Sequence, residues 1–143
     1  MKRLGWLLFL AAFGAGAAEF RSVQESAAVL YDAPSCAATP LYVVQRYYPL
    51  EVIVNLDAWI KVRDHAGALS WIEKKALGDK RMVLVTGASA EVRVRAEESA
   101  PAAFVAAQNV ALELIETSPN GWLRVRHVDG AAGFVRAAQV WGD

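Results

Sequence analysis

The chain has 143 residues, with 15 basic and 15 acidic side chains and a hydrophobic content of 55%. A formal net charge of zero leaves no overall positive field to attract nucleic acid or anionic lipid. The length is enough for one ordinary domain or for two small ones.

The first residues have the three parts of a secretory signal peptide. Lys2 and Arg3 form a basic end, residues 4–13 are almost wholly apolar, and small residues at 14–18 precede Glu19. The apolar run is shorter than the roughly 20 residues of a membrane span. We predict a leader over residues 1–18, no stable membrane insertion after its cleavage, and a periplasmic or secreted protein. Removing Lys2 and Arg3 leaves 13 basic and 15 acidic side chains, a net charge of −2.

A first unit of β-strands is predicted over residues 19–79. Its centre is Trp59-Ile60-Lys61-Val62-Arg63, where apolar Ile60 and Val62 alternate with polar neighbours, as in a strand with one buried face. Gly67 marks a turn, and Trp71-Ile72 is the returning strand. Further strands are predicted at 28–31, 41–44 and 50–56, with a short helical turn at 73–77.

A second unit, over residues 80–143, repeats the first. Trp122-Leu123-Arg124-Val125-Arg126, Gly130 and Phe134-Val135 follow the first pattern at the same spacings, 63 positions later. Leu50 aligns with Leu112, and residues 30–35 are placed opposite 94–99. Residues 100–107 are predicted as a loop and then a strand, and residues 136–140 as a closing turn. Each repeat is long enough for a small barrel of about five strands, and without a linker rich in Pro, Gly or Ser we expect the two to unfold together.

The order of these motifs resembles the bacterial SH3-like (SH3b) domains found in tandem in exported proteins. The shared features are a "Leu-Glu-Val-Ile" strand, matched by Leu50-Glu51-Val52-Ile53, then "Gly-Trp-x-x-Val-Arg", a turn containing Asp-Gly, and "Gly-Trp-Val". The opening motif of the family is degraded in both copies, since residues 30–35 lack its arginine and Glu97-Glu98 replaces Gly-Pro. The resemblance implies two tandem SH3-like β-barrels and an all-β fold.

Residues for catalysis or metal binding are few. His65 and His127 lie near predicted turns at non-equivalent positions, and one cysteine with no paired Cys or His motif gives zinc ligation no support. Cys36 is interpreted as a half-buried thiol in the loop after Pro34-Ser35; an intermolecular disulfide or a nucleophile paired with a histidine is the alternative. We predict no catalytic residues, no cofactor and no metal.

Aromatic side chains are abundant, mainly in the first unit. Trp59 falls on the face opposite Ile60 and Val62, beside Lys61, where an aromatic ring next to a cation suits a peptide or a sugar. The same tryptophans could instead cover the barrel ends or fill the contact between units. The predicted ligand-binding residues are Tyr31, Tyr47, Tyr48, Trp59, Lys61 and Trp71.

We therefore expect a non-catalytic module that binds at the cell envelope. The resemblance implies peptidoglycan, through its stem peptide, or an envelope protein as the partner. The alternatives are a structural adaptor in an envelope assembly and an accessory protein to a cell-wall hydrolase. Such hydrolases carry these domains beside a catalytic domain, and the 143 residues contain no motif of one.

Overall fold

The computed structural model describes residues 17–143, so the predicted leader lies outside the described residues except for Ala17 and Ala18. Residues 17–143 form two consecutive all-β units, which confirms the predicted fold class. The strands of the first unit are β1 (Phe20–Val23), β2 (Ala27–Tyr31), β3 (Pro40–Gln45), β4 (Pro49–Asn55), β5 (Trp59–Arg63), β6 (Leu69–Glu73) and β7 (Leu77–Gly78). The strands of the second unit are β8 (Met82–Val85), β9 (Ser89–Arg93), β10 (Ala102–Ala107), β11 (Ala111–Thr117), β12 (Trp122–Arg126), β13 (Ala132–Arg136) and β14 (Val140–Trp141). No helix in this part of the chain is long and apolar enough to cross a membrane.

Each unit is one antiparallel sheet with the same strand order. The first sheet runs β3-β2-β6-β5-β4-β1-β7, and the second runs β10-β9-β13-β12-β11-β8-β14. Each strand of the first sheet therefore has a counterpart seven strands later. The inward side chains of each sheet form a separate apolar core.

The strand β5 and its counterpart β12 have the predicted alternation. Ile60 and Val62 are fully buried, and Leu123 and Val125 are 2% and 0% exposed. The prediction that these four side chains form the cores is confirmed. Because successive side chains of a strand point to opposite faces, the residues that alternate with these four point outward and can make other contacts.

Both hairpin turns depend on a glycine and an aspartate. Gly67 and Gly130 have φ angles of +88° and +95°, a backbone region that other residues rarely adopt. Asp64 Oδ1 accepts hydrogen bonds from the N–H groups of Ala66 and Ala68, at 3.0 and 2.9 Å. Asp and Gly favour turns of this kind between two strands.

Each sheet has more strands than the five that the sequence predicts. Within residues 17–143 each sheet contains seven strands, because β1 and the two-residue β7 add to it, as do β8 and β14 in the second unit. The two-residue strands β7 and β14 carry too few residues for an alternation to be visible in the sequence, and β8 has none because all four of its side chains are buried. The predicted helical turns are one-turn 3-10 helices at Lys74–Ala76 and Ala137–Gln139.

The structural alignment of the two units differs from the sequence alignment at their beginning. Tyr31 pairs with Trp71, and Arg93 pairs with Phe134, so Tyr31 corresponds to Arg93. Residues 30–35 are therefore equivalent to 92–97 rather than to 94–99. The error arose because the two segments share little sequence, whereas strand pairing fixes the register directly.

Strand β8 joins the two units because it is buried on both faces. Val83 and Val85 belong to the core of the second unit, while Met82 and Leu84, on the opposite face, are 5% and 1% exposed. An antiparallel strand with a solvated face would show alternating burial. The face of β8 that carries Met82 and Leu84 is therefore covered by residues outside the core of the second unit.

Side chains of the first unit make specific contacts at this joint. The buried Ser22 hydroxyl donates a hydrogen bond to the carbonyl of Lys80 at 2.7 Å. The rings of Phe20 and Trp141 meet edge-on with centroids 5.2 Å apart, and the Arg81 guanidinium lies 5.6 Å from the centre of the Phe20 ring. These contacts link the first strand of one unit to the last strand of the other and to residues 80 and 81, which lead into β8.

Truncation of an inward valine should remove most of the stability of a unit. Val62→Ala or Val125→Ala should lower the free energy of unfolding by about 2–4 kcal/mol, because each leaves a cavity in a small core. Urea unfolding followed by circular dichroism measures the change. Arg124→Ala, on the exposed face of β12, is the control and should change stability little; a loss of similar size there would contradict the assignment of faces.

The two units should unfold as one cooperative block. Thermal unfolding of the protein should show a single transition, and an isolated first unit should be markedly less stable, because it loses the contacts at Phe20 and Ser22. Trp141→Ala should weaken the coupling, since it removes one of these contacts from the second unit alone. Two independent transitions in the unaltered protein would contradict the prediction.

Candidate functional site

Four of the six predicted ligand residues lie together on the outer face of the first unit. Trp71 is the cross-strand neighbour of both Tyr31 and Lys61. The rings of Tyr31 and Trp59 meet edge-on with centroids 5.6 Å apart, and Lys61 Nζ lies 5.9 Å from the centre of the Trp71 ring. The grouping follows from the pleat, since β5 turns Trp59 and Lys61 to the same face.

The other two predicted residues, Tyr47 and Tyr48, lie at the joint between the units. Lys80 Nζ is 5.0 Å from the centre of the Tyr47 ring. Tyr48 Oη is 2.7 Å from His65 Nδ1, and the His65 ring lies 6.5 Å from that of Trp141. Burial raises the pKa of the Tyr48 hydroxyl. The structure thus divides the predicted residues between two places.

A cleft of about 710 Å³ opens beside Trp59. Its walls come from the tip of the β2–β3 hairpin, the segment before β5, and the 3-10 turn after β6. Trp59 is half-buried and supplies the aromatic wall, and the charged walls carry acidic and basic groups together. The lining residues are Pro34, Ser35, Cys36, Asp57, Ala58, Trp59, Glu73, Lys74 and Lys75.

Cys36 is exposed in this cleft, which corrects the expectation of a half-buried thiol. Its Sγ donates a hydrogen bond to Glu73 Oε1 at 2.8 Å, and Lys75 Nζ lies 3.3 Å from Glu73 Oε2. The hydrogen bond to Glu73 is the main cause that raises the pKa of the Cys36 thiol, and the same bond lowers the pKa of Glu73. A nucleophilic cysteine needs the opposite shift, toward the thiolate.

The histidines contact other groups. His65 is next to Tyr48, and His127 Nδ1 lies 3.1 Å from Asp129 Oδ1. Of the described residues, the thiol of Cys36 has Glu73 as its hydrogen-bond partner rather than a histidine. Residues 17–143 contain no group of three or more His, Cys, Asp or Glu side chains placed to hold a metal ion.

The second unit has an equivalent cleft with different residues. The N–H of Ala38 bonds to the carbonyl of Ser35, and the N–H of Ala100 bonds in the same way to that of Glu97. Because this backbone pattern repeats, Cys36 corresponds to Glu98. On the 63-residue offset of the central hairpin, Glu73 corresponds to Arg136. The thiol–carboxylate pair of the first unit is thus an ion pair in the second.

In the second cleft, of about 430 Å³, this ion pair lies against the tryptophan ring. Arg136 Nε donates a hydrogen bond to Glu98 Oε1 at 2.7 Å, and the guanidinium carbon lies 4.3 Å from the centre of the Trp122 ring. Trp122 is consequently only 4% exposed, although it stands on the outer face of β12. A carboxylate at the equivalent position, Glu73, has no such attraction to the face of Trp59, because the face of an aromatic ring is electronegative.

Some residues of the first cleft were not predicted from the sequence. Glu73, Lys74 and Lys75 belong to the turn after β6, and Cys36 belongs to a loop that is distant in sequence from Trp59. The charges of this turn were visible in the sequence. Glu73, Lys74 and Lys75 are all charged, whereas Arg136 is the one charged residue of the closing turn over residues 136–140. The proximity of that turn to the β2–β3 loop depends on sheet order.

The solved structures that are similar to this chain have low sequence identity to it. The chain is similar to NlpC1 from Trichomonas vaginalis, with 12% identity and a TM-score of 0.41, over 88% of this chain and 46% of that one. It is similar to NlpC2 from the same organism, with 11% identity and a TM-score of 0.41, over 88% and 48% of the two chains. An NlpC/P60 family protein from Bacillus cereus ATCC 10987 matches with 17% identity and a TM-score of 0.40, over 86% and 56%. The chain thus spans about half the length of these proteins.

Comparison of sequences identifies the repeated unit. No curated protein sequence matches the chain. The bacterial SH3 domain family matches twice, over residues 24–79 and 86–142, and the two matches fall on the two sheets. Since they cover most of the chain, this protein belongs to the bacterial SH3 domain family and carries two tandem copies of the domain.

Proposed function

We propose that the protein is a non-catalytic binding module of the cell envelope, and that its first domain binds an extended peptide in the cleft beside Trp59. The observation that carries the proposal is the difference between the two tryptophans. Trp59 is half-buried beside an open cleft, whereas Trp122 is covered by Arg136. The first domain therefore exposes more of its tryptophan to a ligand than the second domain does.

The groups around Trp59 suit a peptide that carries charge. An aromatic wall packs against an extended chain, which loses little conformational entropy on docking. Lys74 and Lys75 supply cations at the cleft, and Asp57 and Glu73 supply carboxylates. Lys61, on the same outer face, lies within reach of a ligand that extends along β5 toward Trp71.

The envelope location rests on the predicted leader and on family membership. A leader over residues 1–18 would export the protein to the periplasm or beyond. The stem peptide of peptidoglycan is the first candidate ligand, because it is a short extended peptide with free carboxylates and amines. An extended segment of an envelope protein is the second. Neither ligand requires a cofactor.

A structural adaptor is the alternative that one observation favours. Tyr47 and Tyr48, two of the predicted ligand residues, contact groups at the joint between the domains. In an adaptor, aromatic side chains serve domain packing and partners bind by other surfaces. An accessory role beside a cell-wall hydrolase would use the same cleft to hold the substrate near another protein's active site.

Removal of the Trp59 ring should abolish most binding. Trp59→Ala should weaken binding to purified peptidoglycan at least about tenfold, because truncation of a central aromatic contact costs about 2 kcal/mol or more. Co-sedimentation with peptidoglycan, and in parallel with envelope lysate, measures the loss. Thermal unfolding of the variant separates lost binding from lost folding.

Trp122→Ala is the matched control. It removes the equivalent ring of the second domain, which is buried, so binding should change much less while stability falls. Equal loss of binding at both positions would point to a ligand shared between the domains. Unchanged binding in both variants would contradict the proposal and leave the tryptophans as packing residues.

Exposing the Trp122 ring should require only one substitution. Arg136→Ala removes the cation from the face of Trp122, so solvent exchange of the Trp122 indole N–H, measured by NMR, should become faster. The loss of stability should stay within about 1 kcal/mol, the value of an exposed cation–π contact. Arg124→Ala, on the same face of the sheet, is the control and should leave the exchange of Trp122 unchanged. An unchanged exchange rate in Arg136→Ala would show that other groups cover the ring.

A further inference from the structure

Strand β3 has an unpaired edge. It is the last strand of its sheet, with β2 as its one neighbour in the sheet. The N–H of Arg46 bonds to the carbonyl of Ser26, and the register continues as Val44 opposite Ala28. In an antiparallel pair, bonded and non-bonded residue pairs alternate, so the backbone N–H and C=O of Val43 point away from β2.

This edge lacks the usual protection against strand pairing. Natural edge strands commonly carry charged side chains, prolines or bulges. Residues 40–45 contain no charge, and Pro40 and a bulge at its register lie only at the start of the strand. Val43 and Tyr42 are 69% and 59% exposed, so apolar side chains and free backbone groups are presented together.

The end of β3 forms one wall of a cleft of about 590 Å³ between the two domains. The first domain contributes apolar and aromatic side chains, and the second domain supplies the opposite wall. Val43 and Arg46 line it from the first domain, and Leu84 and Val110 line it from the second. The equivalent edge strand of the second domain, β10, contributes no residue to this cleft.

We propose that this cleft is a second binding site, in which an extended segment of a partner protein adds to β3 as a further antiparallel strand. Free backbone groups of a sheet edge are satisfied by another extended backbone, whose alternate side chains then enter the neighbouring pockets. This site is independent of the cleft at Trp59.

Charge favours a segment of a partner protein over a second copy of this chain. Either occupant would add to β3 at the same strand spacing of about 4.8 Å. The β3 strand of a second copy would bring no carboxylate to Arg46, because residues 40–45 are uncharged. A segment that contains an Asp or Glu would.

The charge of the cleft specifies the segment further. The Arg46 guanidinium has a hydrogen bond to Ser26 Oγ at 3.4 Å, and no carboxylate of residues 17–143 forms an ion pair with it. The lining beside it combines apolar and aromatic side chains with the polar groups of Gln45, Asn109 and the two histidines. The segment that fits is therefore one with alternate apolar residues and an Asp or Glu that reaches Arg46.

A display library of random short peptides tests this site. Selection uses the full chain carrying Trp59→Ala, so that the first cleft does not contribute. The selected peptides should combine alternate apolar residues with an acidic one. Val43→Pro should weaken their binding about tenfold or more, because proline removes the outward N–H that a docked strand would use.

Val105→Pro is the matched control. Val105 is the counterpart of Val43 in β10, and its N–H also points outward, since Gln108 bonds to Ala88 and Ala106 lies opposite Ala90. Binding of the selected peptides should be unchanged in this variant. Equal loss in both variants, or no loss in Val43→Pro, would overturn the proposal.

Amide hydrogen exchange, measured on a chain with no substitution in β3, tests the site whether or not the proline variants fold. The amide hydrogen of Val43 should exchange more slowly when a selected peptide is bound, and that of Val105 should not. An unchanged rate at Val43 would overturn the proposal, as would failure to select any peptide. A concentration-dependent dimer that Val43→Pro dissociates would overturn it too, because the occupant would then be a second copy.

Discussion

The alternation of side chains along β5 and β12 is the constraint on which both domains depend. Ile60 and Val62 enter one core, and Leu123 and Val125 enter the other. Because a strand has a period of two, the same residues that fix the cores place a tryptophan on each outer face. The core and the candidate site are therefore opposite sides of one strand, and a shift of one residue would exchange them.

The two domains share this framework and differ in what covers the outer tryptophan. At equivalent positions the first domain has Cys36 and Glu73, and the second has Glu98 and Arg136. A guanidinium is attracted to the face of an indole ring and to a carboxylate at once, so Arg136 is held over Trp122 by both. Glu73 bonds instead to the thiol and to Lys75, and the cleft beside Trp59 stays open. The two copies of the sequence thus have a larger cleft with a partly exposed tryptophan and a smaller cleft whose tryptophan is covered.

The joint gives the pair of domains a surface that neither has alone. Strand β8 is buried on both faces, so the second domain begins inside the contact with the first. Tyr47, Tyr48 and His65 gather at this contact, and the open end of β3 lies beside it. A module built in this way presents an aromatic cleft on one domain and an unpaired strand edge between the two. The proposed function uses the first of these, and the second proposed site uses the other.

The sequence by itself determined the repeat, the all-β class, the inward residues of the central hairpins and their turns, because each depends on periods and residue types within a few positions. It also placed Tyr31, Trp59, Lys61 and Trp71 as candidates, which strand pairing then brought together. The tertiary structure alone decided that Tyr47 and Tyr48 lie at the joint, that Cys36 faces Glu73, and that Arg136 covers Trp122. These contacts join residues far apart in the chain, and the order and register of the strands, which local patterns do not specify, bring them within reach.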